Sequence, residues 1–294
     1  MDIREKFKET DKLYHFTSFD TALKIIESNR LRFGRLSNMN DLHENDKLCF
    51  VDETNQKPDH FPSDVLDTLH DEIYKYRQIS FSMDSKNGEK KGFDLHQMWG
   101  NYADKGKGVC LVFDKGELEK SNDMQNIFHE DVIYDETQKL DSFVVSKSQT
   151  PTDVSAEVSR RLKDIFFHKR KEWEHEQEYR FLKKCPNCQK EEYLHLGHAL
   201  KFVILSSCLR EIDEVLYFQN LEAINNLTDD MKKQRNKDSE GEVPVLVYGN
   251  GLLTYSLDTF DGSETIWNSE DGYDISIIGK NSQLDILCHK HSKL

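Results

Sequence analysis

Leu13-Tyr14-His15-Phe16-Thr17 reads as a short strand, after which the period of the apolar positions changes. Ala22, Leu23, Ile25 and Ile26 recur at helical spacing from Phe19 to Asn29, with Thr17 and Ser18 as N-cap candidates. Leu31-Arg32-Phe33 predicts a second strand and leads into a polar loop, Ser37 to Glu44. Val65, Leu66, Leu69 and Ile73 share one face of a helix expected near Ser63 to Tyr76, and Gln78 to Ser82 alternates as a strand. Residues 84–94, rich in Lys and Gly, are expected to be a flexible insertion. A short helix from His96 to Ala103 carries Trp99 and Tyr102, and the nearly unbroken apolar run Gly108 to Phe113 predicts a central strand. Val132 to Tyr134 predicts another strand, Ser155 to Arg170 a long amphipathic helix, and Glu178 to Leu182 the strand after it. Phe202 to Leu205 is strand-like, 209–236 is mostly helical, and Val243 to Tyr248 with Leu252 to Leu257 completes the sheet.

Strands and helices intermingle without the regular spacing of βαβ units, so the expected fold class is α+β, a bent mixed sheet with flanking helices. Residues 1–257 are expected to form one domain, and the apolar-poor stretch 258–294 a C-terminal extension packed on it. A length of 294 residues at 36% hydrophobic content suffices for one sizeable core. No apolar run approaches the roughly 18 residues of a membrane span. The charged N-terminus MDIREKFKETDK has no signal-peptide core, so a cytoplasmic location without membrane partners is expected.

A net charge of -14 argues against non-specific binding to a phosphate backbone, although a local basic cleft stays compatible with it. His168-Lys169-Arg170-Lys171 is the candidate for such a cleft; a solvated helix end is preferred, because cations suit the C-terminal dipole. Cys49, Cys110, Cys208 and Cys288 sit among apolar residues and read as reduced core thiols. Cys185-Pro186-Asn187-Cys188 is a tight turn that could present two thiolates to zinc, with His195 and His198 as further ligands. A surface turn on a hairpin is the preferred reading there, since a single CxxC has little specificity.

Five motifs follow one another in order: Tyr14 to Ser18, Asn40-Asp41-x-x-Glu44, Phe81-Ser82, Trp99-x-x-Tyr102-Ala103, and Trp173 to Arg180 with glutamates at 174, 176 and 178. Over roughly residues 12–257 this ordered set resembles an uncharacterised bacterial domain family without a settled biochemical function. More distantly, the opening strand is similar to that of ADP-ribosyltransferases, including bacterial toxins that modify nucleic acid or protein. That resemblance implies an ADP-ribosyltransferase-like core with NAD as substrate. It implies that His15 grips a ribose hydroxyl, that the backbone of Phe16 holds the nicotinamide carboxamide, and that Tyr14, Thr17, Asn40, Asp41, Ser82 and Tyr102 line the cofactor site. Glu178 would accept the 2′-hydroxyl of the nicotinamide ribose and stabilise the oxocarbenium-like cation, and Glu176 would deprotonate or orient the acceptor.

Each residue also has a plain structural reading. His15 suits a buried histidine satisfied by a backbone carbonyl. Strand geometry would put Glu174, Glu176, Glu178 and Arg180 on one face, which like-charge repulsion should turn to solvent or a cleft; a helix extending through Trp173 to Gln177 would instead break that face for the earlier glutamates. An edge strand in which Glu178 forms surface ion pairs with Arg180 or with a cross-strand cation is the alternative. Asn40, Asp41 and Glu44 suit a self-satisfied turn. Trp99 favours the core, and Tyr102 stays open between core and stacking. The sequence lacks a GxGxxG, a Gly-x-Ser-x-Gly elbow and a His-Glu-x-x-His helix. The expected function is therefore an NAD-dependent ADP-ribosyltransferase, a toxin or phage-defence effector. A macromolecular acceptor (nucleic acid or protein) and an antitoxin or regulatory partner would go with it. The rivals are a non-catalytic nucleotide or nucleic-acid binding module, and a metal-dependent nuclease built on Asp41, Glu44 and the late glutamates.

Overall fold

The computed structural model describes residues 11–36, 50–51, 63–86, 90–135, 143–144, 150–187, 189–235, 243–249, 252–256, 263–268 and 277–278. The chain divides into two compact units, Thr10–Lys201 and the residues from Phe202 onward. Of the extension expected over 258–294, only the strands at 263–268 and 277–278 lie among the described residues.

The first unit opens with β1 (Lys12–Thr17), α1 (Phe19–Ser28), β2 (Arg30–Arg32), β3 (Gly34–Arg35) and β4 (Phe50–Val51). It continues through α2 (Ser63–Tyr74), β5 (Tyr76–Met83), α3 (His96–Tyr102), β6 (Val109–Asp114), α4 (Lys115–Lys120), β7 (Ile127–Asp131), β8 (Ile133–Asp135) and β9 (Phe143–Val144). It ends with α5 (Pro151–Arg160), α6 (Leu162–Phe166), β10 (His168–Arg170), β11 (Glu178–Lys184) and β12 (Tyr193–His195). Its main sheet runs β6-β1-β5-β11-β7, every pairing antiparallel, with β3 also on β5.

Local chemistry sets the element ends. The Ser18 hydroxyl accepts from the Thr21 N–H to start α1, and Asn29 closes it in the left-handed conformation at φ 51°. The long helix expected over 155–170 starts earlier and breaks in two. Thr150 and Asp153 form a capping box with Pro151 in the first turn, and Arg161 interrupts the helix at φ -103°, ψ 19°. The basic run that follows is not a solvated helix end. His168–Arg170 is a strand paired in parallel with β8, and Lys169 is buried.

Period-2 alternation fixes which side chains share a face. On one face of β5 and β11, Tyr76 and Leu182 meet Leu69 of α2, Val154 and Val158 of α5, and Leu162, Ile165 and Phe166 of α6. The other face carries Phe81 edge-on to both Phe113 and Phe181, at 5.8 and 5.6 Å. Gly108 lies where the chain enters β6, and a Cβ there would stand 2.2 Å from the Thr17 carbonyl oxygen and 2.8 Å from the Ala103 carbonyl carbon. Both obstacles are backbone, so Gly108→Ala is expected to destabilise by about 1–3 kcal/mol. A denaturation midpoint equal to wild type would contradict that packing.

From Phe202 onward, most of β13 (Leu200–Ser206) is followed by α7 (Cys208–Ile212), α8 (Glu214–Gln234), β14 (Val245–Gly249), β15 (Leu252–Ser256), β16 (Ser263–Asn268) and β17 (Ile277–Ile278). Strands β13 and β14 pair in parallel and the remaining pairs are antiparallel, so strand pairing in the chain is mixed and the class is α+β. The 209–236 helix divides at Asp213, whose carboxylate accepts from the Leu216 N–H. Among the described residues no helix is long and apolar enough to cross a membrane.

Candidate functional site

Three neighbouring strands bring Tyr14, Ser82 and Glu178 into one cross-strand row: Tyr14 pairs with Ser82 and Ser82 with Glu178. Their side chains therefore share a face. All three are buried, and the Ser82 hydroxyl has no hydrogen-bond partner among the described residues. A Cβ on Gly92 would lie 2.2 Å from Cδ2 of Tyr14, so only glycine lets the turn at Gly92–Asp94 close over that ring. Asp84 holds the turn down by accepting from the Gly92 N–H at 2.9 Å and from Lys91 Nζ at 2.7 Å. Residues 84–86 and 90–94 of the expected flexible insertion thus form part of the site's cover.

Beside Ser82 lies a buried ionic cluster. Lys169 Nζ sits 2.6 Å from Glu176 Oε2 and 3.1 Å from Glu178 Oε2. Arg180 donates to both oxygens of Glu178, Nε to Oε1 at 2.6 Å and Nη2 to Oε2 at 2.8 Å, while its Nη1 reaches the Phe166 carbonyl at 2.6 Å. The Tyr102 hydroxyl donates to Glu176 Oε1 at 2.8 Å. Glu176, Glu178, Lys169 and Arg180 are each at most 4% exposed, and their formal charges cancel. Burial of four ions is tolerable only because each has an opposite partner and hydrogen bonds.

Local structure places these groups. The chain after β10 makes a 3-10 turn over Lys171–Glu176, and Gln177 then adopts the left-handed conformation at φ 46°. A non-glycine residue held there stores strain. The expected row of four on one strand face is corrected accordingly: β11 begins at Glu178, Glu174 is exposed in the turn, and Glu176 reaches the cluster from the turn's end. Strand β11 is interior, between β5 and β7, so the ion pair of Glu178 with Arg180 is buried and not at a sheet edge. The parallel pair β8–β10 sets Lys169 beside Tyr134, whose hydroxyl accepts from the Glu178 N–H at 2.8 Å. Trp173 covers Lys169 with its ring centroid 4.9 Å from Nζ.

Burial alone would raise the Glu178 carboxyl pKa. The charges of Arg180 and Lys169, with hydrogen bonds from Arg180 and Ser80, outweigh it and hold the group far below the usual carboxylate range. Burial and the Glu178 charge push the Tyr134 phenol well up, so it stays protonated.

His15 lies on the opposite face. It pairs with Leu111 and its ring packs 5.6 Å from Phe81, one position out of step with the Tyr14 row. Its Nδ1 contacts the Ser80 carbonyl at 3.1 Å; a carbonyl only accepts, so Nδ1 carries the proton. Burial lowers the imidazole pKa, with the Ser80 contact partly offsetting it, which favours the neutral ring. Phe16 and Trp99 pack edge-on at 5.2 Å in the core, and Thr17 is buried at the strand end. Trp99 Nε1 donates to the Phe93 carbonyl at 2.7 Å. Asn40, Asp41 and Glu44 lie outside the described residues.

Of the cysteines, Cys110 is buried and burial raises its thiol pKa well above the ordinary value. Cys208 is exposed at the start of α7, against the expected core position, whereas Cys49, Cys188 and Cys288 lie outside the described residues. Cys185 is buried, and no group of three or more His, Cys, Asp or Glu among the described residues is arranged to hold a metal ion.

The residues that sequence reasoning missed are Lys169 and Tyr134. Tyr134 lies on the strand expected at Val132 to Tyr134, but nothing local marked its hydroxyl as reaching Glu178, and Lys169 belongs to a three-residue strand too short for a period to show. Lys169 had one usable signal, a position two residues after the apolar run Ile165-Phe166-Phe167.

A family model described as protein of unknown function (DUF2971) matches residues 98–181. The match runs from α3 into β11, so it takes in Tyr102, Tyr134, Lys169, Glu176, Glu178 and Arg180 and leaves out β1 and β5. No curated protein and no solved structure matches the chain.

Proposed function

We propose that the Tyr14–Ser82–Glu178 row and the adjoining Glu176 form an NAD-cleaving site of ADP-ribosyltransferase type. The observation that carries the reading is the buried Ser82 hydroxyl, left without a partner among the described residues in the row it shares with Glu178. An unmade hydrogen bond at a buried hydroxyl costs about 1–3 kcal/mol, a cost that a ligand hydroxyl would remove. The neighbouring order of β1, β5 and β11 adds support, since the resemblance singles out a histidine strand and a late glutamate strand, and the Ser82 strand lies between them.

In this reading Tyr14, and not His15, shares the reacting face with the glutamates. Displacement of the turn at Gly92–Asp94 admits the substrate. The bond from ribose C1′ to the nicotinamide nitrogen breaks, its electron pair leaving with neutral nicotinamide. An acceptor hydroxyl, from a macromolecule or water, bonds to C1′ and gives its proton to a carboxylate.

Nicotinamide release from NAD by the purified chain tests the proposal. Ser82→Ala should act in opposite directions, lowering kcat/KM about tenfold while leaving the melting temperature equal or higher, because it removes the unsatisfied hydroxyl. No release by wild type, with cell extract supplied as acceptor, would overturn the reading. The full charge compensation by Lys169 and Arg180 favours one rival, a nucleotide-binding module without turnover. Heat of NAD binding with no nicotinamide release would point to it.

A further inference from the structure

We infer that Trp173 recognises the substrate at this site, its indole N–H donating to the carboxamide oxygen of nicotinamide. This rests on the NAD-cleaving reading above. Trp173 Nε1 is buried and has no hydrogen-bond partner among the described residues. An indole nitrogen is a donor only, so no change of tautomer or rotor relieves it. Folded proteins seldom keep a buried donor unpaired. The other tryptophan of this unit shows the usual outcome, since Trp99 Nε1 donates to the Phe93 carbonyl at 2.7 Å.

The turn that carries Trp173 also carries Glu176. Residues three apart eclipse in a 3-10 turn, so both side chains leave Lys171–Glu176 on one side. Lys169 Nζ joins them, 4.9 Å from the indole ring centroid, 2.6 Å from Glu176 Oε2 and 3.1 Å from Glu178 Oε2. His175 stacks on the indole, with ring centroids 6.0 Å apart and planes 27° apart. One ammonium group thus contacts the indole and both carboxylates, and Glu178 pairs across strands with Ser82. The two buried polar groups without partners, the Trp173 N–H and the Ser82 hydroxyl, therefore flank one ionic cluster.

The cluster dictates the charge of what Trp173 binds. Lys169 and Arg180 are each already bonded to a carboxylate, and the four formal charges cancel. A phosphate or carboxylate would leave this buried site with an uncompensated negative charge, whereas a carbonyl oxygen adds none. Ribose hydroxyls donate as well as accept and suit Ser82 and the carboxylates. The carboxamide oxygen only accepts, which matches a group that only donates. The contact orients the ring whose nitrogen leaves C1′. It exists before and after that bond breaks, so it acts on binding more than on turnover.

Nicotinamide release from NAD, with nicotinamide, nicotinic acid and ADP-ribose as inhibitors, compares wild type with W173F. Phe keeps an aromatic face toward Lys169 and removes the donor. W173F should raise KM for NAD and weaken inhibition by nicotinamide by about tenfold each, with a smaller effect on kcat. Inhibition by ADP-ribose, which lacks the carboxamide, should not change. The melting temperature should stay close to wild type, because the smaller ring costs packing while the unpaired N–H is gone. A tryptophan with a structural role alone would lower the melting temperature and leave the ratio of nicotinamide to ADP-ribose inhibition as it was. That ratio unchanged in a folded W173F overturns the inference. Should W173F not fold, wild type decides: nicotinamide should inhibit at least about tenfold more strongly than nicotinic acid, and equal inhibition overturns the inference. No release by wild type, with cell extract supplied as acceptor, overturns the NAD-cleaving reading and this inference together. Release with an unchanged ratio overturns the inference alone.

Discussion

Arg180→Met is expected to destabilise the protein by about 3–5 kcal/mol, the cost of leaving one member of a buried ion pair without its partner. Arg180 is 1% exposed and makes three of the cluster's hydrogen bonds, two to Glu178 and one to the Phe166 carbonyl at the end of α6. Met fills much of the same volume, so the effect isolates charge and hydrogen bonding from packing. Two losses add. Among the described residues Glu178 keeps only Lys169 as a nearby cation, and the Phe166 carbonyl loses the Arg180 donor. Lys at the same position restores the charge but not the fork, so R180K should recover part of the loss and no more. Urea midpoints for wild type, R180M, R180K and the double variant E178Q/R180M measure this directly. A midpoint for R180M within experimental error of wild type would show that water reaches the cluster freely and that the pair is worth no more than a surface contact.

The same cluster shows what the sequence could and could not reveal. Strand β1, helix α1 and the apolar strand β6 were legible because alternation, an N-cap serine and an unbroken apolar run are local signals. The pairing of Glu178 with Arg180 was legible too, as two residues two apart on a strand. Its burial was not, because exposure depends on which strands flank β11, and β7 and β5 are distant in sequence. The face of His15 was illegible for a related reason. Tyr14 and His15 point to opposite sides, and only the register of β1 against β5 decides which of them joins Glu178. Lys169 looked like one cation in a run of four basic residues. The short parallel pair β8–β10 draws it inward, and although the sequence showed a strand at Val132 to Tyr134, no local pattern marked 168–170 as its partner.

Acid should unfold this protein through carboxylates outside the candidate site as well as within it, and Glu72 is the clearest case. Glu72 lies in α2, 4% exposed, and binds Lys184 of β11, Lys75 Nζ at 2.6 Å and the Ser155 hydroxyl of α5 at 2.9 Å. Burial pushes its pKa up, but Lys184, Lys75 and Ser155 more than offset that and bring it from 4.5 to about 2. The folded pKa is thus depressed, so the stability it contributes is complete above the unfolded value and is lost as pH falls toward the folded one. A shift of that size is worth about 3 kcal/mol at pH 7, of which about 2 kcal/mol should be gone by pH 3. Glu178, also held far below its ordinary range, adds to the loss in the same direction. Glu72→Gln should therefore be less stable than wild type at pH 7 by up to that amount, and the gap between the two should narrow at pH 3. Urea unfolding of both proteins at pH 7, 5 and 3 reads the gap. Parallel losses with a constant difference would mean that Glu72 contributes through packing and neutral hydrogen bonds. The acid sensitivity would then belong to other groups, Glu178 first among them.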